Sequence, residues 1–299
     1  MGTCTQTKFL PITAEDKKTF DGFYNQRRYP GSEANFTNAF VWQDLYNIRY
    51  TIYDGFLILT GRCPEMGDYY VFPVGTGDIR SPLHMMDEHY RAMGREYTLR
   101  CLTKEQTALV EDAMPGHFEF KHSRGSDDYI YEIDKMIALT GKKYNSKRNH
   151  LNRFLRTYDY TYHKITTTDD IVRCLDAACR LTILREDENL EDELASLGRM
   201  FDNYTSLGLT GAYIEIDGQI AAVTVGEAHH EDVLIHVEKG DIQYHGIYPA
   251  INQLFLKNEW QGYRYVNREE DLGLENLRKA KLSYHPAFLL EKYIGHLEK

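Results

Sequence analysis

A pair of matching β-hairpins is the feature of this sequence that most limits its fold. Apolar runs flank Asp54-Gly55 in the first half and Asp217-Gly218 in the second, and an Asp-Gly pair between such runs is a strong hairpin signal. In both halves a further apolar strand follows and ends alike, at Gly77-Asp78-Ile79 and at Gly240-Asp241-Ile242. The interval from the hairpin glycine to the closing glycine is also the same. Matching spacing and matching endings predict an internal duplication.

The duplication predicts an α/β (α+β) chain with two mixed sheets flanked by helices. We expect a first domain over residues 1–135 and a second over 136–299, because each half then has the size of an ordinary domain. Residues 142–157 have the apolar spacing of an amphipathic helix, which we call the linking helix. We assign it to the second domain.

Charge is distributed unevenly along the chain. The formal net charge is −10, which disfavours general binding to nucleic acid. The linking helix is the exception, because residues 142–156 contain basic side chains and no acid. We predict that this helix binds phosphate groups through Lys142, Lys143, Lys147, Arg148 and Arg153. The alternative is that these residues form only the solvent-facing side of the helix.

The sequence shows no recognisable targeting or membrane signal. The first residues lack a basic segment followed by an apolar core, and no apolar run approaches the roughly 20 residues of a membrane-spanning helix. Five cysteines without C-x-x-C spacing predict free thiols. Neighbouring His229 and His230 would point to opposite faces of a strand, which disfavours a shared metal ion. We therefore expect a cytoplasmic protein without a metal or a permanently bound cofactor.

A glycine loop distinguishes the second copy of the repeat from the first. Residues 240–250 lead from a strand into a helix, with Gly246 in the loop. Such a loop offers backbone N–H groups and the positive end of a helix dipole to a phosphate or an ester carbonyl. The first copy reaches its helix through Arg80-Ser81-Pro82 and lacks that glycine. We therefore predict that the active cleft lies in the second half.

Polar residues are unusually dense after the next strand of that half. Residues 266–286 combine acids, an asparagine and basic residues at a strand end, where open α/β sheets bind ligands. We predict that Asn267 and Glu269 face the reacting groups. Arg278, Lys279 and Lys281 would bind phosphate or close against acidic parts of the protein. Helix capping alone accounts for part of these charges, because acids are favoured near a helix start and cations near its end.

Together these motifs resemble the GNAT acetyltransferase fold. That fold has the same order of hairpin, strand, loop, helix, strand ending in Asn, helix and downstream Tyr, and its pyrophosphate loop reads Q/R-x-x-G-x-G/A. Gln243 and Gly246 match the loop, and Asn267 and Tyr284 match the later motif. Tyr248 departs from the pattern, since a small residue at that position lets the backbone approach coenzyme A. The resemblance implies two tandem GNAT-like domains, the first of them degenerate.

Two groups of tandem GNAT-like proteins are similar to this chain. Fem-type peptidoglycan aminoacyltransferases have a K-x-R-N-containing helix, which Lys147-Arg148-Asn149 resembles. The C-terminal domain of phosphatidylglycerol lysyltransferase is the closer resemblance, through residues 141–154 and 266–286. Both groups pass an aminoacyl group from charged tRNA to an amine or a hydroxyl. The resemblance therefore implies an aminoacyl-tRNA donor, bound in part by the linking helix, and a small-molecule or lipid acceptor.

The implied reaction is attack of the acceptor on an activated acyl ester. A backbone N–H of the splayed strand would hold the oxyanion, and a base would remove the acceptor's proton. Period-two alternation predicts that His236 and Glu238 share one face of the strand over residues 233–238, where either could be the base. Glu269 or Glu270 could reach the same cleft from the next strand. An acyl-CoA-dependent N-acetyltransferase and a non-catalytic module that binds an anionic ligand are the alternatives.

Overall fold

The computed structural model describes residues 7–63, 67–184 and 190–298. These residues form two compact units. Unit 1 extends to Asp128 and resumes at Leu290, and unit 2 runs from Tyr129 to Leu289. Cys4 and the N-terminal residues on which the targeting expectation rests lie outside the described residues.

Unit 1 consists of a mixed sheet with helices. Its helices are α1 (Lys17–Tyr24), α2 (Phe36–Val41), α3 (Arg80–Ala92) and α4 (Lys104–Ala113), with short 3-10 helices at Ala14–Asp16 and Arg124–Ser126. Its strands are β1 (Arg49–Tyr53), β2 (Phe56–Cys63), β3 (Gly67–Val71), β4 (Val74–Gly75), β5 (Thr98–Leu102), β6 (Phe118–His122) and, from the end of the chain, β14 (Tyr293–Leu297).

The sheet of unit 1 begins with the predicted hairpin. β1 and β2 pair around Asp54-Gly55, where Tyr53 faces Phe56. β3 is antiparallel to β2 and parallel to β5, and α3 connects β3 to β5. β14 lies between β5 and β6 and is antiparallel to both. The last strand of the chain is therefore an interior strand of the first sheet.

A buried lysine secures the segment that leads into β14. The Lys292 side chain is 1% exposed, and its Nζ lies 2.7 Å from Asp128 Oδ1 and 2.5 Å from Glu33 Oε1. It also donates a hydrogen bond to Ser32 Oγ at 3.2 Å. Because two carboxylates share one buried ammonium, removal of that cation leaves uncompensated charge in the interior.

We expect Lys292→Met to destabilise unit 1 by about 3–5 kcal/mol, the usual cost of removing one partner from a buried ion pair. Hydrogen exchange of the β5 and β6 amides, followed by mass spectrometry, measures this loss. Lys121→Met is the matched control, because Lys121 pairs with Glu119 at the surface with exposures of 59% and 55%. An equal effect of the two substitutions would contradict the structural role of Lys292.

Unit 2 contains the larger set of helices. They are α5 (Ile133–Ala138), α6 (Asn145–Thr157), α7 (Thr168–Ile183), α8 (Leu190–Asp202), α9 (Tyr204–Leu207), α10 (Ile247–Glu259) and α11 (Glu275–Leu282), with a 3-10 helix at Lys142–Tyr144. The strands are β7 (Asp128–Glu132), β8 (Tyr160–Lys164), β9 (Thr210–Ile216), β10 (Gln219–His229), β11 (Asp232–Gly240), β12 (Tyr265–Asn267) and β13 (Phe288–Leu290).

The second sheet repeats the plan of the first. Its order is β13-β7-β12-β11-β10-β9-β8. β9 and β10 form the hairpin around Asp217-Gly218, β11 is antiparallel to β10, and β12 is parallel to β11 after the helix α10. In the first sheet, β1, β2, β3 and β5 have the same order and the same relative directions. The predicted duplication is therefore confirmed in the fold.

The boundaries of the two units differ from the predicted division at 135/136 in two places. β7 is paired with β12 in the second sheet, although it precedes the predicted boundary. β14 is paired in the first sheet, although it ends the second half of the chain. Both differences arise from long-range strand pairing, which local sequence patterns do not reveal.

The linking helix of the sequence analysis is formed by the 3-10 turn at Lys142–Tyr144 and by α6. Its apolar side packs against α10, because Leu151 and Phe154 belong to the same buried cluster as Ile247 and Ile251. In the described part of the chain, no helix combines the length and the apolar composition needed to cross a membrane. The four described cysteines have free thiols.

Candidate functional site

The second sheet divides between β11 and β12. These parallel strands pair at two positions, of which the second is Leu234 with Asn267. β11 then continues beside β10, whereas the chain after β12 stays with β7, because the Arg268 N–H donates to the Tyr129 carbonyl at 3.0 Å. The polar residues of both strand ends lie beside this division of the sheet. We call the place where the two strands separate the cleft.

A β-bulge at His236 decides which side chains point into the cleft. The register between β10 and β11 shifts between Val225 and Gly226, and His236 has no partner position on β10. An extra residue of this kind interrupts the alternation of a strand. The prediction that His236 and Glu238 share one face is therefore wrong. Sequence reasoning overlooked the one available signal, which is Gly226 in the interior of an apolar strand.

The His236 side chain lies between two carboxylates. Its Nε2 is 2.8 Å from Glu227 Oε1 and its Nδ1 is 3.3 Å from Glu269 Oε1. Burial lowers the pKa of His236, but the hydrogen bonds and charges of Glu227 and Glu269 outweigh burial and raise the pKa to about 9. A ring that is protonated at neutral pH cannot accept a proton. This protonation does not favour the predicted role of His236 as base, and that role stays a prediction.

The raised pKa of His236 makes the stability of the protein depend on pH in a defined direction. The folded-state pKa of about 9 lies above the ordinary value of 6.5, so the stabilisation is complete below pH 6.5 and is lost as the pH rises to about 9. We expect the wild type to lose on the order of 3 kcal/mol relative to His236→Gln over this range. Urea unfolding of both proteins at several pH values measures the difference. Parallel pH curves would refute the assigned protonation.

Glu238 connects the two sides of the cleft. Arg268 Nη2 donates to Glu238 Oε1 at 2.6 Å, and Asn252 Nδ2 of α10 donates to Glu238 Oε2 at 2.9 Å. The side chains of Glu238 and Arg268 are each 12% exposed. Sequence reasoning selected Glu238 as a candidate base but did not select Arg268 or Asn252. The signal for Arg268 was its place in the polar stretch, between two residues that were selected.

Asn267 and Glu269 shape the turn that follows β12. The Asn267 side-chain oxygen accepts a hydrogen bond from the Glu269 N–H at 2.7 Å, and Glu269 has a φ of 56°. A short polar side chain that accepts from the backbone two residues later supports such a turn. Asn267 is buried, whereas the Glu269 side chain is 24% exposed beside His236. The catalytic roles of both residues stay predictions.

Basic residues of α11 stabilise the same turn. Arg278 donates to both carboxylate oxygens of Asp271, at 2.8 and 3.0 Å. Burial raises the pKa of Asp271, but the hydrogen bonds from Arg278 and other donors lower it to about 2. Lys281 Nζ donates to the main-chain carbonyls of residues 268–270, and Lys279 forms an exposed pair within its own helix. These contacts favour the predicted alternative, closure against acidic and polar parts of the protein.

Lys147 differs from the other predicted basic residues of the linking helix. Lys147 Nζ lies 4.0 Å from the centroid of the Tyr284 ring. Arg148 instead donates a hydrogen bond to the main-chain carbonyl of Leu139, which precedes the linking helix. The remaining three predicted residues are exposed, and these are Lys142, Lys143 and Arg153. Their exposure agrees with the alternative that this side of the helix only faces solvent.

Lys147, Arg268 and Tyr284 together form a cationic corner of the cleft. The Arg268 guanidinium carbon lies 5.0 Å from the centroid of the Tyr284 ring, which Lys147 also contacts. Burial lowers the pKa of Lys147 to about 8, and the charge of Arg268 acts in the same direction, while Glu238 partly opposes them. Arg268 Nη1 and the Tyr284 hydroxyl are buried without a hydrogen-bond partner among the described residues.

A family model matches most of this chain. The model for the C-terminal domain of phosphatidylglycerol lysyltransferase matches residues 24–295. The chain belongs to this family. A protein of unknown function from Bacteroides thetaiotaomicron has 36% identity and a TM-score of 0.90, and the match covers 98% of this chain and 100% of that one.

More distant relatives and solved structures are similar to this chain over part or all of its length. An uncharacterized protein of Mycoplasmoides gallisepticum is 29% identical over 175 residues, and the match spans 56% of each of the two chains. L-PGS from Bacillus licheniformis shares the fold with a TM-score of 0.65 and 16% identity, over 99% of this chain and 94% of that one. A tandem GNAT protein from the clavulanic acid biosynthesis pathway also shares the fold, with a TM-score of 0.54 and 10% identity, over 98% of this chain and 99% of that one. The architecture is therefore that of two tandem GNAT-like domains.

In this member of the family, the predicted pyrophosphate loop is closed: its polar groups bond to one another and to neighbouring side chains. The N–H groups of Gln243 and Tyr244 donate to Asp241, and the N–H of His245 donates to the Tyr158 hydroxyl at 3.1 Å. The Tyr248 hydroxyl bonds to both the N–H and the carbonyl of Gly240 at 3.1 Å. Internal bonds thus occupy groups that a phosphate would need. The binding roles of Gln243, Gly246 and Tyr248 stay predictions that this geometry does not favour.

Gly246 is explained by close contact with the linking helix. Its φ is 92°, and a Cβ at this position would lie 2.4 Å from the main-chain oxygen of His150. A glycine is needed there because a side chain would clash with backbone and because the φ value is unfavourable for other residues. The sequence motif therefore has a packing function, whether or not the loop also meets a ligand.

We expect Gly246→Ala to destabilise unit 2 by about 1–3 kcal/mol, through overpacking and backbone strain. Gly198→Ala in α8 is the matched control. A Cβ at Gly198 meets no atom within 4 Å, and alanine in a helix is favoured over glycine by roughly 0.5–1 kcal/mol. Urea unfolding of the two variants measures the opposite shifts. An unchanged midpoint for Gly246→Ala would show that the helix contact does not require glycine.

Proposed function

We propose that this chain is an aminoacyltransferase that moves an aminoacyl group from charged tRNA to an amine or hydroxyl acceptor in the cleft of unit 2. One observation carries the proposal: the divided sheet has a charged, partly buried opening, while the loop that would hold coenzyme A is closed. Membership of the lysyltransferase family supports the same class of reaction.

The closed loop favours an aminoacyl ester over acyl-CoA as the donor. A pyrophosphate needs several converging N–H groups at a helix N-terminus. In this chain those of Gln243, Tyr244 and His245 are engaged within the protein, and Tyr248 fills the space beside Gly240. An ester on the terminal ribose of tRNA makes no demand on this loop.

The main chain at the bulge is suited to hold the developing oxyanion. The His236 side chain is 1% exposed, yet the residue as a whole is partly exposed, so its accessible surface belongs to the main chain. Backbone N–H groups that already point at a developing negative charge stabilise the transition state without rearrangement. We assign this function to the opened edge of β11, next to the charged pair of Glu238 and Arg268.

The reaction conserves atoms and protons within its two substrates. The acceptor nitrogen or oxygen attacks the ester carbonyl carbon and forms a new bond to it. The bond from that carbon to the ribose oxygen of tRNA then breaks. The proton lost by the acceptor is gained by the ribose oxygen, so that the products are the acylated acceptor and uncharged tRNA.

Transfer from labelled aminoacyl-tRNA tests the proposal. Each tRNA, charged with a radiolabelled amino acid, is incubated with the full chain and either phosphatidylglycerol vesicles or a set of small amines and alcohols. We expect label to leave one class of tRNA and to appear in an acceptor. Arg268→Met should lower the rate at least about 100-fold, because it removes a charge and leaves Glu238 unpaired beside the reacting groups.

Two controls make the outcome decisive. Lys121→Met changes an exposed residue of unit 1 and should leave the rate unchanged. Acetyl-CoA is supplied with the same acceptors, and release of its thiol is followed. Thiol release without any transfer from tRNA would replace the proposed donor with acyl-CoA. No transfer from either donor would favour the non-catalytic alternative.

A further inference from the structure

The cationic corner of the cleft has unused binding capacity. Arg268 uses Nη2 for Glu238, but its Nη1 is buried and has no hydrogen-bond partner among the described residues. The Tyr284 hydroxyl is also without a described partner, although Tyr284 is only 5% exposed. Buried polar groups are almost always hydrogen-bonded, and an exception indicates a ligand, an ion or a water.

The charge of this corner defines the kind of ligand. Glu238 neutralises Arg268, whereas no carboxylate of the described ranges lies within ion-pair distance of Lys147 Nζ. Lys147, Arg268 and Glu238 therefore carry one uncompensated positive charge. A partly buried cation without an acidic partner is unfavourable, which the lowered pKa of Lys147 reflects. A monoanion placed there would remove the imbalance.

The donors come from three separate parts of unit 2. Lys147 lies on α6, Arg268 follows β12, and Tyr284 follows α11. Both cationic side chains lie against the Tyr284 ring, and burial together with the charge of Arg268 lowers the pKa of Lys147. Donors that approach from several directions suit a tetrahedral oxyanion, which has more acceptor oxygens than a carboxylate. An arginine and a lysine are also the usual pair of phosphate-binding residues.

We propose that Lys147, Arg268 and Tyr284 form a binding site for one phosphate group in the cleft of unit 2. The group is a phosphate ester of either substrate, the terminal nucleotides of a tRNA or the headgroup of a phospholipid. For the source of the phosphate the inference rests on the proposed function. Binding itself does not, because it takes place without acyl transfer and is measured without turnover.

Inorganic phosphate is the probe for the shared chemistry. We expect it to raise the thermal midpoint of the full chain in proportion to the logarithm of its concentration above the dissociation constant. Lys147→Met should weaken phosphate binding at least about 10-fold, and Tyr284→Phe should weaken it about 5–10-fold, because each removes one donor to a charged acceptor. Lys257→Met, an exposed position on α10, is the matched control and should bind phosphate as the wild type does.

The stability of the unliganded variants separates binding from structure. Lys147 has no described carboxylate partner, so Lys147→Met should leave the midpoint without phosphate unchanged or higher. A structural lysine would instead cause a loss. An equal phosphate response in Lys147→Met and the wild type would overturn the site.

Competition identifies the source of the phosphate. A cytidine-cytidine-adenosine trinucleotide that displaces phosphate supports a nucleic-acid donor in this corner, and displacement by phosphatidylglycerol vesicles, but not by phosphatidylcholine vesicles, supports a lipid acceptor. If neither the trinucleotide nor the vesicles displace phosphate, the assignment of the site to a phosphate of either substrate is overturned. Aminoacyl transfer by Lys147→Met at the wild-type rate would overturn the site and leave the proposed function intact. Phosphate binding together with no transfer from any tRNA would overturn the proposed function and leave the phosphate site intact.

Discussion

The β-bulge at His236 is the constraint on which the rest of the cleft depends. Without the extra residue, His236 and Glu238 would point the same way and both would meet the same neighbours. With it, His236 turns to Glu227, and Glu238 turns to Asn252 and Arg268. The bulge lies just beyond the last paired position of β11 with β12, so main chain and charged side chains become available at one place.

Several charged groups around the cleft lie beside partners of opposite charge, whereas Lys147 has no carboxylate within ion-pair distance among the described residues. His236 has two carboxylates, Arg268 has Glu238, and Asp271 has Arg278, so burial of each charge is offset by a partner. Lys147 is the exception in the described cleft, and the protein tolerates a desolvated ammonium there. Strain of this kind at a concave site is typical of functional positions, because a ligand relieves it.

Duplication and divergence distinguish unit 2, where we propose the site, from unit 1. Both sheets contain an antiparallel hairpin and a parallel pair of strands joined through a helix. In unit 1 the buried polar cluster around Lys292 is fully engaged in anchoring the last strand of the chain. In unit 2 the polar residues lie at the strand ends instead, beside the division between β11 and β12. One plan thus carries a structural polar cluster in unit 1 and the proposed site in unit 2.

The sequence by itself determined the hairpins, the duplication, the linking helix and the lysyltransferase resemblance, because turn chemistry and apolar periodicity act over a few residues. It also placed Glu238, Asn267 and Lys147 at the cleft. Only the tertiary structure decided that Gly246 serves packing and that Arg278 and Lys281 hold a turn, because their partners are distant in sequence. Arg268 and the bulge were missed because register and partner choice arise from contacts between elements, and Gly226 and the polar stretch over residues 266–286 were the local signals for them.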